Sequence, residues 1–225
     1  MILLGSLVNG AAVVVGGLVG LFAGKLLPER LRGSLMAALS LMTIGIAVPG
    51  LLKSSNALIP IISMGAGTLI GELLDIDAAV NRLGEKFQKK LSGSSVTQGF
   101  VTGSLVFAVG ALAIMGPLES GLQHQHSLLI SKAVIDGVAS VVFASTMGLG
   151  VALSGVTVFA VEGSIALLAS LVAPFLGEAV VNEITFVGSL LIVGISLNLL
   201  GATKLRILNM VPAILLPILL CRFMG

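Results

Sequence analysis

The sequence predicts an all-α protein that crosses a membrane several times. Of its 225 residues, 56% are hydrophobic and only 10% are charged, and the mean hydropathy is +1.16. A soluble domain needs a polar surface, and this composition supplies too few polar residues for one. The apolar residues form long continuous runs, whereas the strands of a membrane β-barrel alternate apolar and polar residues. A multi-pass bundle of transmembrane helices is therefore the predicted fold.

About eight apolar runs are long enough to cross a hydrocarbon core of ~30 Å as helices. Helices also satisfy their own backbone hydrogen bonds, which a bilayer requires. The predicted spans are residues 3–24, 33–52, 56–74, 97–118, 128–150, 156–176, 184–201 and 207–222.

The polar stretch between the third and fourth spans, residues 75–93, predicts an amphipathic helix on the cytoplasmic membrane surface. Its apolar residues recur at helical spacing: Ile76, Val80, Leu83, Phe87 and Leu91. Four basic residues fall elsewhere on the helical wheel, as is typical of helices that lie on a lipid surface. We interpret this segment as a surface anchor, and a lipid or partner sensor is the alternative.

The distribution of lysine and arginine predicts the orientation. If eight spans alternate in direction, the loops and termini on one side of the membrane contain only two basic residues, Lys53 and Arg222. Nine basic residues lie on the other: Lys25, Arg30, Arg32, Arg82, Lys86, Lys89, Lys90, Lys204 and Arg206. Because cytoplasmic loops are enriched in basic residues, this side is predicted to be cytoplasmic and both termini to lie outside.

A weak internal repeat suggests how the single membrane domain is organised. A shift of 149 residues lays residues 26–52 over residues 175–201 with seven identities. The shift relates spans 1–3 to spans 6–8, and the alternation of spans makes the two units inverted. We therefore divide the domain into a three-span unit (1–74), the surface helix (75–93), two central spans (94–152) and a second three-span unit (153–225). Inverted repeats are common in secondary transporters.

The fifth span contains the most informative polar residues, Lys132 and Asp136. They are four residues apart and share one face of a helix. An isolated charge at membrane depth costs about 2.5–3.5 kcal/mol or more, so such residues are usually functional or paired. Two interpretations stay open: a structural ion pair that fixes the helix, or a site for an ion, a proton or a substrate.

Other polar residues in the spans are secondary candidates for the same site. Glu162 lies in the sixth predicted span, and Asn9 and Asn198 lie in the first and seventh. Asparagines in membrane helices more often form interhelical hydrogen bonds than bind ligands. His124 and His126 form a His-x-His pair near Glu119, but two ligands on a loop make a poor metal site, so we expect no bound metal.

The sequence contains none of the motifs that would indicate an enzyme. It has no phosphate-binding glycine loop, no His-Glu-x-x-His motif and no Gly-x-Ser-x-Gly elbow. Cys221 is the only cysteine, so an intrachain disulfide or a thiolate cluster is excluded. We expect no catalytic activity, no cofactor and no nucleic-acid partner.

Several segments resemble a known family of prokaryotic membrane proteins, catalogued as domain of unknown function 554. These segments are residues 5–10, 107–116, 131–137, 147–151 and 209–212. The resemblance covers essentially the whole chain, and residues 107–137 are its most specific part. At Glu162-Gly163 the chain departs from the Gln-Gly expected for the family. The resemblance implies a multi-pass protein of the inner membrane, in which transport is suspected, and it implies no substrate.

The leading hypothesis is a gradient-driven transporter or channel-like protein for a small solute or ion. Asp136, Lys132 and Glu162 would form its polar centre, with Asn9 and Asn198 as further ligands. The alternative is a membrane scaffold or regulatory subunit that does not transport. Besides the lipid bilayer and the solute, a second copy of the chain is an expected partner type, because small residues on helix faces suit a homodimer without requiring one.

Overall fold

The chain is helical in a computed structural model that describes residues 1–26, 28–80, 82 and 96–224. No β-strand occurs in these ranges, which confirms the all-α prediction. The helices are α1 (Leu4–Lys25), α2 (Glu29–Leu51), α3 (Leu58–Leu74), α4 (Val96–Ala108), α5 (Ala111–Gln123), α6 (Ser127–Met147), α7 (Leu149–Leu167), α8 (Ala169–Val172), α9 (Glu178–Leu199), α10 (Ile207–Met210) and α11 (Pro217–Met224).

Five of these helices are long and apolar enough to cross a membrane alone, namely α1, α2, α6, α7 and α9. Two further candidates are pairs of shorter helices, α4 with α5 and α10 with α11, each bent by more than 40° at a break. The remaining apolar helix, α3, has 17 residues. Each predicted span overlaps one of these helices or bent pairs, and the total of eight crossings stays a prediction.

The helices depart from the predicted spans at two places, and a glycine lies at each of them. The expected spans 128–150 and 156–176 are α6 and α7, which are separated by Gly148 alone. Gly148 has a φ of +73°, a conformation that glycine adopts readily, so the chain turns inside an apolar run that offers no polar signal. The expected span 97–118 is divided into α4 and α5, with Gly110 at a φ of +136° between them.

The predicted surface helix lies mostly outside the described residues. Residues 76–80 are helical, so its first turn is present. The left-handed Asp75, with a φ of +46°, separates this turn from α3. The positions that define its apolar face further on, Leu83, Phe87 and Leu91, lie outside the described residues.

The chain forms two compact units, and each combines distant stretches of sequence. Unit 1 contains Met1–Leu35 and Gly84–Ala173, and unit 2 contains Met36–Leu83 and Pro174–Gly225. In unit 1, α1 packs along α6 and α7, and α4 and α5 pack against α7. In unit 2, α3 packs against α9 and against the segment from α10 to α11. The division into consecutive units, which was based on the repeat, stays a prediction about the sequence.

Helix starts recur along the chain with the spacing of the suspected repeat. Glu178 begins α9 and lies 149 residues after Glu29, which begins α2. Ile207 begins α10 and lies 149 residues after Leu58, which begins α3. The repeat itself stays a prediction, now with a second observation that agrees with it.

Close helix packing in unit 1 depends on glycines of α1. A methyl group added at Gly16, Gly20 or Gly24 would overlap backbone atoms of α6, and one at Gly17 would overlap Ala152 of α7. In lipid no hydrophobic effect drives helices together, so such close backbone approach supplies much of the packing energy.

We predict that Gly20→Ala destabilises the protein and that Gly45→Ala does not. The new methyl group at Gly20 would meet the Val141 carbonyl, whereas a methyl group at the exposed Gly45 meets nothing within 4 Å. Overpacking of this kind costs about 1–3 kcal/mol. Thermal unfolding in detergent should show a lower midpoint for Gly20→Ala only. Equal midpoints for the two variants would contradict the packing described here.

Candidate functional site

Four buried polar side chains from three helices meet in unit 1. Asn9 lies on α1, Lys132 and Asp136 on α6, and Glu162 on α7. Asn9 and Glu162 are 0% exposed, and Lys132 and Asp136 are 6% exposed. We call these four residues the polar cluster. It joins the three helices that make up most of unit 1.

Lys132 is the positive centre of the polar cluster. Its ammonium group forms an ion pair with Asp136 Oδ2 and lies 3.3 Å from Glu162 Oε1. It also donates a hydrogen bond of 2.6 Å to the carbonyl oxygen of Phe107. The ammonium group therefore has three oxygen partners: two accept hydrogen bonds, and Glu162 Oε1 is an ion-pair partner.

Asn9 links the two carboxylates. Its Nδ2 donates to Asp136 Oδ2 at 3.1 Å and to Glu162 Oε1 at 2.8 Å. Such hydrogen bonds to ionised groups are stronger than neutral ones. Asn9 therefore connects α1 to both acidic residues.

The local geometry explains why these residues meet. Lys132 and Asp136 share a face of α6 because they are four residues apart. A methyl group at Gly10 would overlap the Gly155 carbonyl and the Phe159 side chain. The backbones of α1 and α7 therefore touch one turn from Glu162, which places the Asn9 amide beside that carboxylate.

Phe107 brings a broken helix into the site. It is the penultimate residue of α4, so its carbonyl lacks the helical partner that it would have in a continuous helix. Lys132 donates to this carbonyl of Phe107, and its positive charge also interacts favourably with the negative end of the α4 dipole.

The charges and hydrogen bonds of the polar cluster do not balance. With all groups ionised, two carboxylates and one ammonium leave a net charge of −1. Glu162 Oε2 and Asn9 Oδ1 are buried acceptors without a hydrogen-bond partner among the described residues. Ser6 Oγ, three residues before Asn9 on α1, is likewise buried without one. The site can therefore accept one more positive charge or hydrogen-bond donor.

The structure brings together four of the five predicted site residues. The fifth, Asn198, belongs to unit 2 and has a local role. Its side chain accepts from Leu205 N–H and Thr203 Oγ1 and donates to the Leu205 carbonyl. It shapes the turn between α9 and α10 and does not join the polar cluster. Glu162, expected near the start of a span, is the fourteenth of the 19 residues of α7.

Sequence reasoning missed the role of Glu183. It falls in the gap between the predicted spans 156–176 and 184–201, but it lies in α9 and is 0% exposed. Its Oε1 accepts the backbone N–H groups of Ser55 at 3.0 Å and Asn56 at 3.3 Å. Glu183 thus holds the connection between α2 and α3 in unit 2. Its position five residues into an apolar helix was the available signal.

Unit 2 also contains a cavity of about 740 Å³. Ser54 and Ser55 are its polar walls, and most of the remaining lining is apolar, including Phe186 and Leu190. Its size suits a small molecule, but no ion pair of the described residues lies in its lining.

The histidine loop has a structural contact. The buried Ser120 hydroxyl donates to the Ile2 carbonyl at 2.8 Å and lies 2.7 Å from His126 Nδ1. Because that hydroxyl proton points to Ile2, His126 Nδ1 must be the donor to Ser120. A serine nucleophile needs the opposite polarity, with histidine accepting the hydroxyl proton.

These features define a helical, integral membrane protein with a charged cluster buried in its interior. Its sequence belongs to the family described as "Protein of unknown function (DUF554)", whose model matches residues 4–222. The family resemblance predicted from the sequence is thereby confirmed.

Two relatives cover nearly the whole chain. It is 30% identical over 217 residues to "Uncharacterized membrane protein YdfK" of Bacillus subtilis (strain 168), covering 95% of this chain and 93% of the relative. It is 28% identical over 220 residues to "Uncharacterized protein YqgA" of Escherichia coli (strain K12), covering 95% and 94%. No solved structure matches the chain.

We predict that Asn9→Ala destabilises the protein because it leaves two buried carboxylates with fewer donors. Each buried group that loses its partner costs about 1–3 kcal/mol, and more if it is charged. The matched control is Ser164→Ala on α7, whose exposed hydroxyl bonds only to the Ala160 carbonyl. Unfolding in detergent should begin at a lower temperature for Asn9→Ala alone. An unchanged midpoint for Asn9→Ala would show that the amide does not hold the cluster together.

Proposed function

We propose that the protein is a gradient-driven transporter or channel-like protein for a small solute or ion, with the polar cluster as its centre. The observation that carries this proposal is the unbalanced set of buried charges, two carboxylates against one lysine. A purely structural pair in lipid needs no third charge. An additional buried acid has a cost that a mobile ion or proton can offset when it binds.

Two further features support transport. The span formed by α4 and α5 is broken, and the broken end presents the Phe107 carbonyl to Lys132. Discontinuous helices that aim backbone groups at a buried site are typical of secondary transporters. The recurrence of helix starts at a spacing of 149 residues agrees with an inverted repeat, the second common feature of such proteins.

In the proposed mechanism, Asp136 and Glu162 carry a proton or coordinate a cation. Lys132 neutralises the carboxylates when the site is empty and adjusts their charge when it is filled. Asn9 keeps the two acids at a fixed separation through its two hydrogen bonds. On this proposal the protein performs no covalent chemistry and needs no cofactor.

The first experiment tests whether Asp136 takes part in transport. The protein and Asp136→Asn are reconstituted into vesicles that contain a pH-sensitive dye and, in parallel, a potential-sensitive dye. Imposed gradients of protons, sodium chloride and potassium chloride serve as probes. We expect at least one gradient to drive flux in the parent protein, and Asp136→Asn to reduce that flux at least about tenfold, equivalent to ~1.4 kcal/mol.

The matched control for this experiment is Glu178→Gln, which neutralises an exposed acid at the start of α9. It should leave the flux unchanged. Equal flux in Asp136→Asn and in the parent protein, with both variants folded, would remove Asp136 from the mechanism.

The alternative is a scaffold or regulatory subunit, alone or as a homodimer, and the closely packed glycine faces of α1 favour it. It predicts that no probe gradient drives flux and that a partner chain remains bound during mild purification. Under this alternative the polar cluster would serve only to fix helix register.

We further propose that the protein lies in the inner membrane with both termini outside. Gln125→Cys and Ala202→Cys test this, each in a Cys221→Ser background. Both positions are exposed, one between α5 and α6 and the other after α9. An impermeant maleimide should label Gln125→Cys in intact cells and label Ala202→Cys only after lysis. The reverse pattern would invert the proposed orientation.

A further inference from the structure

The oxygens around the Lys132 ammonium resemble the ligands of a small bound cation. Its nearest neighbours are three oxygens, Asp136 Oδ2, Glu162 Oε1 and the Phe107 carbonyl. Two are carboxylate oxygens and the third is a backbone carbonyl at the end of a half-helix. Carboxylates and carbonyls are the ligands that hard cations prefer, and half-helix C-terminal ends coordinate sodium ions in transporters.

We propose that the polar cluster binds one alkali-metal cation, and that the Lys132 ammonium occupies the same oxygens whenever the cation is absent. Lys132 would then be a tethered competitor of the ion. This inference deepens the proposed function and rests on it for its biological meaning, although binding of the cation can be measured without transport.

Charge determines that the cation is monovalent. The ionised cluster has a net charge of −1 because Asp136 and Glu162 outnumber Lys132. If Lys132 gives up its direct contacts but stays buried beside the carboxylates, one monovalent cation makes the cluster neutral, whereas a divalent ion would leave an unpaired positive charge in a buried site. An unpaired buried charge is strongly unfavourable.

Unpartnered oxygens supply the additional ligands. Glu162 Oε2, Asn9 Oδ1 and Ser6 Oγ are buried and have no hydrogen-bond partner. Ser6 and Asn9 are three residues apart on α1, so their side chains share a face. A bound proton would need only one of these oxygens, whereas a metal cation uses several. The surplus of oxygens therefore favours the metal cation over the proton.

The Lys132 side chain can move away from the carboxylate oxygens toward the start of α6. Lys132 is the sixth residue of α6, nearer to the start of the helix than Asp136, the tenth. Lysine side chains near helix ends extend along the helix toward water. The ammonium group can therefore give up its direct contact with the carboxylate oxygens without a change in the helix itself, while it stays within the cluster and counts toward its charge.

The test measures binding of alkali cations to the full chain in lipid nanodiscs. Radioactive sodium binding is titrated at constant ionic strength with choline chloride as the replacement salt, and thermal unfolding is followed in parallel. We expect saturable binding of about one sodium per chain, and a saturable rise in the unfolding temperature with sodium or potassium chloride. Magnesium and calcium chloride should not reproduce the rise.

Three variants identify the site and the competitor. Glu162→Gln should abolish binding, whereas Glu178→Gln, the same change at an exposed position, should leave it intact. Lys132→Met should bind sodium more tightly, by about tenfold if the lysine-occupied state predominates ten to one in the parent protein. A merely structural lysine predicts the opposite sign, because its loss would disorder the site. Lys132→Gln provides a second test of the sign if Lys132→Met does not fold.

Three results would overturn the inference: no alkali-cation binding, binding of divalent cations with similar affinity, or weaker sodium binding in both folded lysine variants. Stabilisation by protons alone would also overturn it. The outcome is separable from the transport experiment. Flux without cation binding would refute this site and keep the transporter, whereas cation binding without any flux would refute transport and keep the site.

Discussion

The arrangement of unit 1 depends on giving three buried charged groups protein partners in place of water. Asp136, Glu162 and Lys132 are buried in helices that are long and apolar enough to cross a membrane, and each charge would be costly alone. Their mutual contacts, the Asn9 amide and the Phe107 carbonyl replace water for most of their donors and acceptors. These partners come from four helices, so the requirement to satisfy the charges specifies how α1, α4, α6 and α7 must be placed.

Glycine makes that placement attainable. Hydrogen bonds of about 3 Å between short side chains require the helix backbones to approach closely, and Gly10, Gly16 and Gly20 of α1 allow this. A larger residue at any of them would separate the helices and pull Asn9 away from its carboxylates. Packing and electrostatics are therefore coupled along α1: the small residues bring the backbones together, and the polar cluster fixes the register at which they meet.

The sequence was sufficient to predict the class of fold and to name all four residues of the polar cluster, but it predicted only one of the contacts among them. Lys132 and Asp136 could be paired because four residues separate them on one helix, which is a local property. Asn9 and Glu162 could be recognised as unusual, but their meeting depends on the antiparallel packing of α1 and α7, which no local pattern encodes. The turn at Gly148 was missed because apolar residues lie on both sides of it. The polarity of Asn198 has a local explanation in the structure, since its side chain holds a nearby turn.

The imbalance of the cluster is the reason why we favour a binding site over a structural ion pair, the two interpretations of Lys132 and Asp136 that the sequence left open. A buried ion pair of structural origin is most stable when every charge has a counter-charge and every polar atom has a partner. The pair of Lys132 and Asp136 would meet that condition if it stood alone. Glu162 breaks it, because it adds a second acid whose Oε2 has no partner and places it 3.3 Å from the same lysine. If the cluster served only to hold helices together, an uncharged side chain at this position would do so at lower cost. On our proposal, a further positive charge shares the site and accounts for this acid. Because that charge competes with the Lys132 ammonium for the same oxygens, it can also be released.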